Sequence, residues 1–138
     1  MNAATLLGTP PAGDFQFSAR VTVDFQAQHD AGVLLLWSDE RNWAKFCFEY
    51  SPAAEAMVVS VVTREVSDDA NAFVVDGTSV WLRIARIDHV FAYHASTDGH
   101  AWRMVRVFSL GADEPATQGT SARAEHSARP MPTTKARG

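Results

Sequence analysis

The sequence lacks most of the features that would assign it at once to a class of protein. Its single cysteine, Cys47, cannot form a disulfide within the chain, which excludes a disulfide-stapled secreted domain. The longest uninterrupted apolar run, Val33 to Trp37, is far too short to span a membrane. Residues 1–13 contain neither a basic stretch nor a long apolar run, so no secretory signal is predicted. These features predict a cytoplasmic protein.

A strong excess of charge of either sign is also absent. The 138 residues include 12 basic and 16 acidic ones, which gives a net charge of −4 and a pI near 5.6. Because nucleic acids and anionic membranes attract basic surfaces, neither is expected as a partner. The length suits one domain, and the composition, 46% hydrophobic and 20% charged, is typical of a globular protein.

Signatures of catalysis and of metal binding are equally sparse. None of the five histidines has a partner at the usual ligand spacing, and no glycine-rich phosphate loop is present, so no cofactor or metal is predicted. Cys47 has no histidine nearby in the sequence, and a lone cysteine is usually a small hydrophobic residue. On its predicted strand Glu49 lacks the second carboxylate that a glycosidase needs. The sequence leaves enzymatic activity open and favours a non-catalytic role.

Alternation of apolar and polar residues is what the sequence does contain. Phe15 to Phe25 alternates strictly, as a half-buried antiparallel strand does. Trp43 to Tyr50 alternates as well, and predicts that Phe46, Phe48 and Tyr50 lie between two sheets. Arg64 to Ala72 is polar and acidic, and we predict a loop there. Turn signals recur about every ten residues and no window has a helical period, which predicts an all-β antiparallel sandwich.

The composition changes at Gly111. From there to Gly138 the chain is rich in Ala, Thr, Ser, Pro, Gly and Arg, and it has no aromatic residue. Such a segment cannot bury enough apolar surface to offset a backbone entropy of about 1–2 kcal/mol per residue. We therefore predict a folded domain over residues 13–110 and a disordered tail over residues 111–138.

Charged residues on the predicted strands are the candidates for a site. Lys45 and Glu49 share a face with Trp43, while Arg83 shares one with Trp81. They are either the solvent side of a sheet, with weak cross-strand ion pairs, or the lining of a cleft where aromatic rings and charges meet a polar ligand. We predict that Lys45, Glu49 and Arg83 lie together, with either Trp102 or Tyr93 nearby.

A series of motifs in a fixed order resembles a known family over roughly residues 13–108. The motifs are Ala31-Gly32-Val33-Leu34-Leu35-Leu36-Trp37, Asn42-Trp43-Ala44-Lys45-Phe46, Glu49-Tyr50, Val61-Val62-Thr63-Arg64, Ser67-Asp68, Trp81-Leu82-Arg83-Ile84-Ala85-Arg86, Ser96-Thr97-Asp98-Gly99 and Trp102. They resemble the small domains of unknown function typified by the yeast regulation-of-enolase protein, within the concanavalin A-like lectin/glucanase superfamily. The C-terminal domain of certain β-xylosidases is similar.

The resemblance implies a jelly-roll sandwich of two curved sheets with one concave face. The residues that match recurring positions in the family's motifs are Lys45, Glu49, Thr63, Arg83 and Trp102; with Tyr93 they form our candidate ligand-binding set. Family members usually carry further strands at both ends, so the chain is expected to be truncated at each end. Where the family commonly has tryptophan after Ser67-Asp68, this chain has Asp69.

Three functions fit these observations. The first is a non-catalytic module that binds a carbohydrate or a polar metabolite on the concave face. The second is a regulatory domain that binds a protein partner, for which an exposed apolar patch would be evidence. The third is a glycoside hydrolase remnant, for which a second carboxylate facing Glu49 would be evidence.

Overall fold

The computed structural model describes residues 4–111 and 121–126, which form ten strands and no helix. Accordingly, these residues contain no helix long and apolar enough to cross a membrane. The strands are β1 (Ala4–Gly8), β2 (Phe15–Thr22), β3 (Ala31–Trp37), β4 (Asn42–Tyr50), β5 (Ala56–Arg64), β6 (Val66–Val74), β7 (Ser79–Ile87), β8 (Val90–Ser96), β9 (Arg103–Ser109) and β10 (Ser121–His126).

The strands form two antiparallel sheets. One has six strands in the order β1-β10-β3-β4-β5-β6, and the other has four in the order β2-β7-β8-β9. This arrangement confirms the predicted all-β sandwich. The chain passes between the sheets several times, so strands that are consecutive in sequence, such as β2 and β3, belong to different layers.

The core lies between the two sheets and is lined by alternate residues of the strands. The ring of Phe46 on β4 stacks on that of Tyr93 on β8, with centroids 4.5 Å apart, and thereby joins the layers. Leu82 and Ile84 of β7 contribute from the four-stranded sheet. Phe46 and Phe48 are fully buried, as predicted; Tyr50 is only partly buried. Removal of this apolar surface from water is the main stabilising contribution.

Strand β6 differs from the prediction of a loop over Arg64 to Ala72. It pairs with β5 along its length, from Arg64 opposite Val66 to Met57 opposite Val74. Almost all of its residues are exposed, because β6 forms an edge of the six-stranded sheet. An edge strand with both faces in water has no apolar alternation to detect, and backbone hydrogen bonds to its neighbour hold it in place.

Strands β1 and β10 lie outside the predicted domain of residues 13–110. Ser121–His126 sits between β1 and β3, with Ala124 opposite Leu34 in register. At these six residues the structure differs from a tail without order, whereas residues 112–120 and 127–138 lie outside the described residues. Composition indicates how much apolar surface a segment can bury. It gives no information on the backbone hydrogen bonds that a further strand forms with the strands beside it.

The turn after β8 is organised by one carboxylate. Asp98 Oδ1 accepts hydrogen bonds from the backbone N–H groups of His100 and Ala101, each at 2.8 Å, and from Ser96 Oγ at 2.9 Å. Gly99 follows with a positive φ of 78°. The two backbone hydrogen bonds and the serine hydroxyl lower the pKa of Asp98 from 3.8 to about 2, since they favour the charged carboxylate.

We expect Asp98→Ala to lower the melting temperature at pH 7. Because the pKa of Asp98 is lower in the folded protein, its stabilising contribution is present above the unfolded value and is lost as the pH falls toward about 2. The difference in melting temperature between variant and wild type should therefore shrink below about pH 4. Glu40→Ala, at an exposed turn position, is the control. An undiminished difference near pH 2 would contradict this role.

Candidate functional site

The register of the strands decides which face each candidate residue occupies. Lys45 lies opposite Leu35 on β3 and Val61 on β5, while its neighbour Phe46 points into the core. Because successive side chains on a strand point to opposite faces, Lys45 is on the outer face of the six-stranded sheet. The same parity places Glu49 and Thr63 on that face.

Arg83 lies on the other side of the molecule. Its neighbours Leu82 and Ile84 are core residues of β7, so Arg83 is on the outer face of the four-stranded sheet. Packed sheets are about 10 Å apart, and these side chains leave them in opposite directions. The predicted cluster of Lys45, Glu49 and Arg83 is therefore wrong. Parity along each strand predicts a face correctly, but it does not say that β4 and β7 belong to different sheets.

The other two candidates also separate. Tyr93 is fully buried between the sheets, and burial raises the pKa of its hydroxyl well above the ordinary value. It is therefore a core residue. Trp102 lies beside the four-stranded sheet, where the guanidinium carbon of Arg83 is 3.5 Å from its ring centroid.

We call the outer side of the six-stranded sheet the Lys45 face and that of the four-stranded sheet the Arg83 face. The described residues of the Lys45 face include Val33, Leu35, Trp37, Trp43, Lys45, Cys47, Glu49, Met57, Val59, Val61, Thr63 and Asp69. Those of the Arg83 face include Gln16, Ser18, Arg20, Trp81, Arg83, Ala85, Ile87, Val90, Ala92, His94, Met104 and Val107.

The centre of the Lys45 face is shielded from water although it points away from the core. Cys47 is 0% exposed, Val61 4%, Thr63 5% and Leu35 6%. Residues on the outer side of a sheet reach such values only when neighbouring side chains cover them. The face therefore has a dry, mostly apolar floor.

Aromatic and polar side chains surround this floor. Trp37 and Trp43 lie opposite each other in register at one end, next to the floor residue Thr63 on β5. The Thr63 hydroxyl exchanges a 2.9 Å hydrogen bond with that of Ser67. Lys45 occupies the middle of the face, next to the floor residues Leu35 and Val61.

The charges of the Lys45 face are spread along it. Lys45 and Glu49 are four residues apart on β4, which corresponds to about 13 Å along a strand, so they do not form an ion pair. Glu49 Oε1 lies instead 3.4 Å from His29 Nδ1 at the far end of the face. Lys45 is therefore available to a ligand, together with the indole rings.

The described residues contain no cluster of side chains that could hold a metal ion and no pair of carboxylates at Glu49. Within them, no three His, Cys, Asp or Glu side chains lie close enough to hold a metal ion. The polar contact of Glu49 there is with a histidine and not with a second carboxylate. In this part of the chain, the feature expected of a glycoside hydrolase remnant is thus not found.

An exposed apolar row occupies part of the Arg83 face. Met104 is 65% exposed and Val107 54%, and Ile87 and Val90 lie nearby at the end of β7 and the start of β8. Such a patch is what the hypothesis of a protein-binding domain anticipates. That hypothesis stays a prediction.

A match to a family profile shows which family the chain belongs to. The profile described as "Protein of unknown function (DUF1349)" matches residues 1–129. The chain belongs to this family. A search of the curated proteins found no match to this DUF1349 member.

Solved structures similar to this DUF1349 protein have the same type of fold. A functionally unknown protein from Saccharomyces cerevisiae is 21% identical, with a TM-score of 0.67, over 88% of this chain and 69% of that one. The GH43 protein BlXynB from Bacillus licheniformis is 14% identical, with a TM-score of 0.57, over 78% of this chain and 26% of that one. A toad ovary galectin in complex with thio-digalactose is 12% identical, with a TM-score of 0.56, over 90% and 92%. At these identities the matches show the fold, a lectin-like jelly roll.

The sequence does not predict several residues that contribute to the two faces. Trp37 ends an apolar run without alternation, but the five-residue connection from Ser38 to Asn42 would pair its ring with that of Trp43 across a hairpin. Ser18 and His94 flank Arg83 on neighbouring strands, and only the strand order brings them together. His29, which contacts Glu49, lies in a connection with a positive φ of 67° that the sequence does not indicate.

Proposed function

We propose that this protein is a non-catalytic module that binds a carbohydrate on the Lys45 face. The observation that carries the proposal is the dry floor of that face, bordered by two tryptophans and an accessible lysine. A sugar presents both C–H surfaces and hydroxyl groups, so a site for it needs apolar plates and a few fixed polar groups.

The apolar contribution comes mainly from the indole rings, because the floor residues are already shielded from water and present little surface to a ligand. Trp37 is 36% exposed and lies opposite the partly buried Trp43, so both offer ring surface at the edge of the floor. The strands hold both tryptophans in register, which reduces the ordering needed on binding.

The polar contribution comes from Lys45 and Glu49. The Lys45 ammonium supplies hydrogen-bond donors, whereas the buried Thr63 hydroxyl is hydrogen-bonded to Ser67 and supports the site from below. Glu49 and His29 supply an acceptor and a donor at the far end of the face. The distance of about 13 Å from Lys45 to Glu49 suits a ligand longer than one sugar ring.

The comparisons support this ligand class. The toad galectin was solved with thio-digalactose, and it aligns over 90% of this chain. Jelly-roll sandwiches include many lectin domains. We also propose a cytoplasmic location and a likeness to the regulation-of-enolase protein, both of which are expected from the sequence. The binding test described below does not address either of them.

The test is a glycan array followed by calorimetry with the best saccharide. We expect Lys45→Met to weaken binding about tenfold or more, because a hydrogen bond from a charged group contributes about 1.5–3 kcal/mol. Methionine keeps most of the apolar stem, so the floor stays covered. The matched control is Arg20→Met, which removes one positive charge from an exposed position on the opposite face.

Two results would reject the proposal. One is an array without any saccharide above background. The other is a saccharide whose affinity falls equally in Lys45→Met and Arg20→Met, because that would reflect net charge and not the Lys45 face. Near-ultraviolet circular dichroism of both variants shows whether the fold is intact.

A further inference from the structure

The two sheets differ in charge. The strands β2, β7, β8 and β9 contain five arginines and no aspartate or glutamate. The protein as a whole has a net charge of −4, so the acidic residues lie elsewhere. The four-stranded sheet is thus a basic layer in an acidic protein, and it attracts anions.

Three of these arginines have partners at the ends or the edge of the sheet. Arg106 on β9 forms a 2.6 Å ion pair with Asp68 on β6, and so connects an edge strand of each sheet. Arg86 donates to the backbone carbonyl oxygen of Asp88 at 2.6 Å, and the guanidinium of Arg103 lies 5.0 Å from the ring centroid of Phe73. These contacts stabilise the ends and the edge of the sheet.

Arg83 is held differently. Its guanidinium carbon lies 3.5 Å from the ring centroid of Trp102, which is a close cation–π stack, and its Nε donates a 3.0 Å hydrogen bond to Ser18 Oγ. Within the described residues no hydrogen-bond acceptor is found for Nη1 and Nη2. The stack on Trp102 and the hydrogen bond from Nε therefore fix the plane of the guanidinium, while its two terminal nitrogens remain available.

A histidine completes this arrangement. His94 lies directly opposite Arg83 on β8, so the row Ser18, Arg83 and His94 crosses three neighbouring strands. The Nδ1 atom of His94 is buried and has no hydrogen-bond partner among the described residues. Ser18, Arg83, His94 and Trp102 together offer donors and an aromatic platform, with no acidic side chain on the surrounding strands.

We propose that the Arg83 face holds a second site, which binds the carboxylate or phosphate group of a small molecule through the terminal nitrogens of Arg83. A guanidinium recognises two oxygen atoms of one group with two parallel hydrogen bonds, and Arg83 is already oriented by its stack on Trp102. The site lies on the opposite side of the sandwich from the Lys45 face. It is therefore independent of the proposed carbohydrate site.

His94 provides a reporter for the site. The pKa of His94 is lowered mainly by burial and, to a smaller extent, by the positive charge of Arg83. An anion bound to Arg83 offsets that charge, so it should raise the pKa of His94. By linkage, the affinity for the anion should rise as the pH falls through that pKa.

The experiment follows the tryptophan indole N–H and His94 ring resonances of the isotope-labelled full chain. It titrates the protein with inorganic phosphate, with acetate and, at matched ionic strength, with chloride. We expect a saturable shift of the Trp102 resonance and a raised His94 pKa with phosphate or acetate, but not with chloride. The tighter of the two anions identifies which group the site prefers.

Two substitutions of Arg83 test whether this residue binds the anion. Arg83→Gln should weaken the binding of the preferred anion about tenfold or more, and Arg83→Lys, which keeps the charge and loses the two-nitrogen fork, should weaken it nearly as much. Arg41→Gln is the charge-matched control, since Arg41 is exposed on a distant turn. Equal responses to chloride and phosphate, no saturable shift at Trp102, or unchanged affinity in both Arg83 variants would overturn the proposal.

Discussion

Phe48→Ala is expected to lower the free energy of unfolding by about 3–5 kcal/mol, the usual range for truncating a large core residue. Phe48 is 0% exposed and packs edge-on against Phe25, with ring centroids 5.0 Å apart. Its strand neighbours in register, Gly32 and Val58, are held in the sheet by backbone hydrogen bonds. The surroundings therefore cannot close around the cavity, and the substitution should have one of the largest effects in the protein.

Denaturant unfolding measures this difference, with Gln16→Ala as the control. Gln16 is exposed on the outer side of β2, and its truncation should change the free energy of unfolding by less than about 0.5 kcal/mol. If Phe48→Ala does not fold, Phe48→Leu, which leaves a smaller cavity, gives a measurable value. Similar effects from the Phe48 and Gln16 substitutions would contradict the assignment of the core face of β4.

Gly32→Ala is expected to destabilise the protein by about 1–3 kcal/mol, because the added methyl group overpacks the core. A Cβ at Gly32 would lie 2.2 Å from Val21 Cγ1 and 3.3 Å from Val23 Cγ2. Gly32 is on β3 and Val21 on β2, so this is a close approach between the two sheets. Valine has few side-chain rotamers, and the clash is therefore relieved only by moving the strands.

A double-mutant cycle with Val21→Ala tests the cause. If Val21 is the obstacle, the combined variant should be more stable than the sum of the two single effects predicts. Gly8→Ala is the matched control, since a Cβ there meets no atom within 4 Å. Additive effects, or a Gly8→Ala variant as unstable as Gly32→Ala, would show that the close approach of β2 and β3 is not responsible.

The fold could be predicted because several of its strands have a clear alternation of apolar and polar residues. Phe15 to Phe25 alternates, β4 alternates, and the turns contain glycine or aspartate, as at Asp98 and Gly99. The order of the motifs added a resemblance to jelly-roll domains, and the solved structures confirm that fold. The strands that were missed, β1, β6 and β10, have little apolar alternation, and backbone pairing with neighbouring strands holds them in the sheet.

The site was predicted only in part, and for a geometric reason. Alternation placed Lys45 and Glu49 on one face correctly, since both lie on β4. It could not connect them with Arg83, because the assignment of β4 and β7 to different sheets depends on long-range pairing. Tyr93 was expected near the cluster, whereas its ring stacks on Phe46 in the core.

The four tryptophans allow one measurement to test the central claim, that the Lys45 face is the carbohydrate site. Trp37 and Trp43 lie on that face, while Trp81 and Trp102 lie at the Arg83 face. In a titration of the labelled protein with the best saccharide, their indole N–H resonances report both sides at once. We expect saturable shifts at Trp37 and Trp43 with no change at Trp81 and Trp102. Shifts confined to Trp81 and Trp102 would contradict the claim.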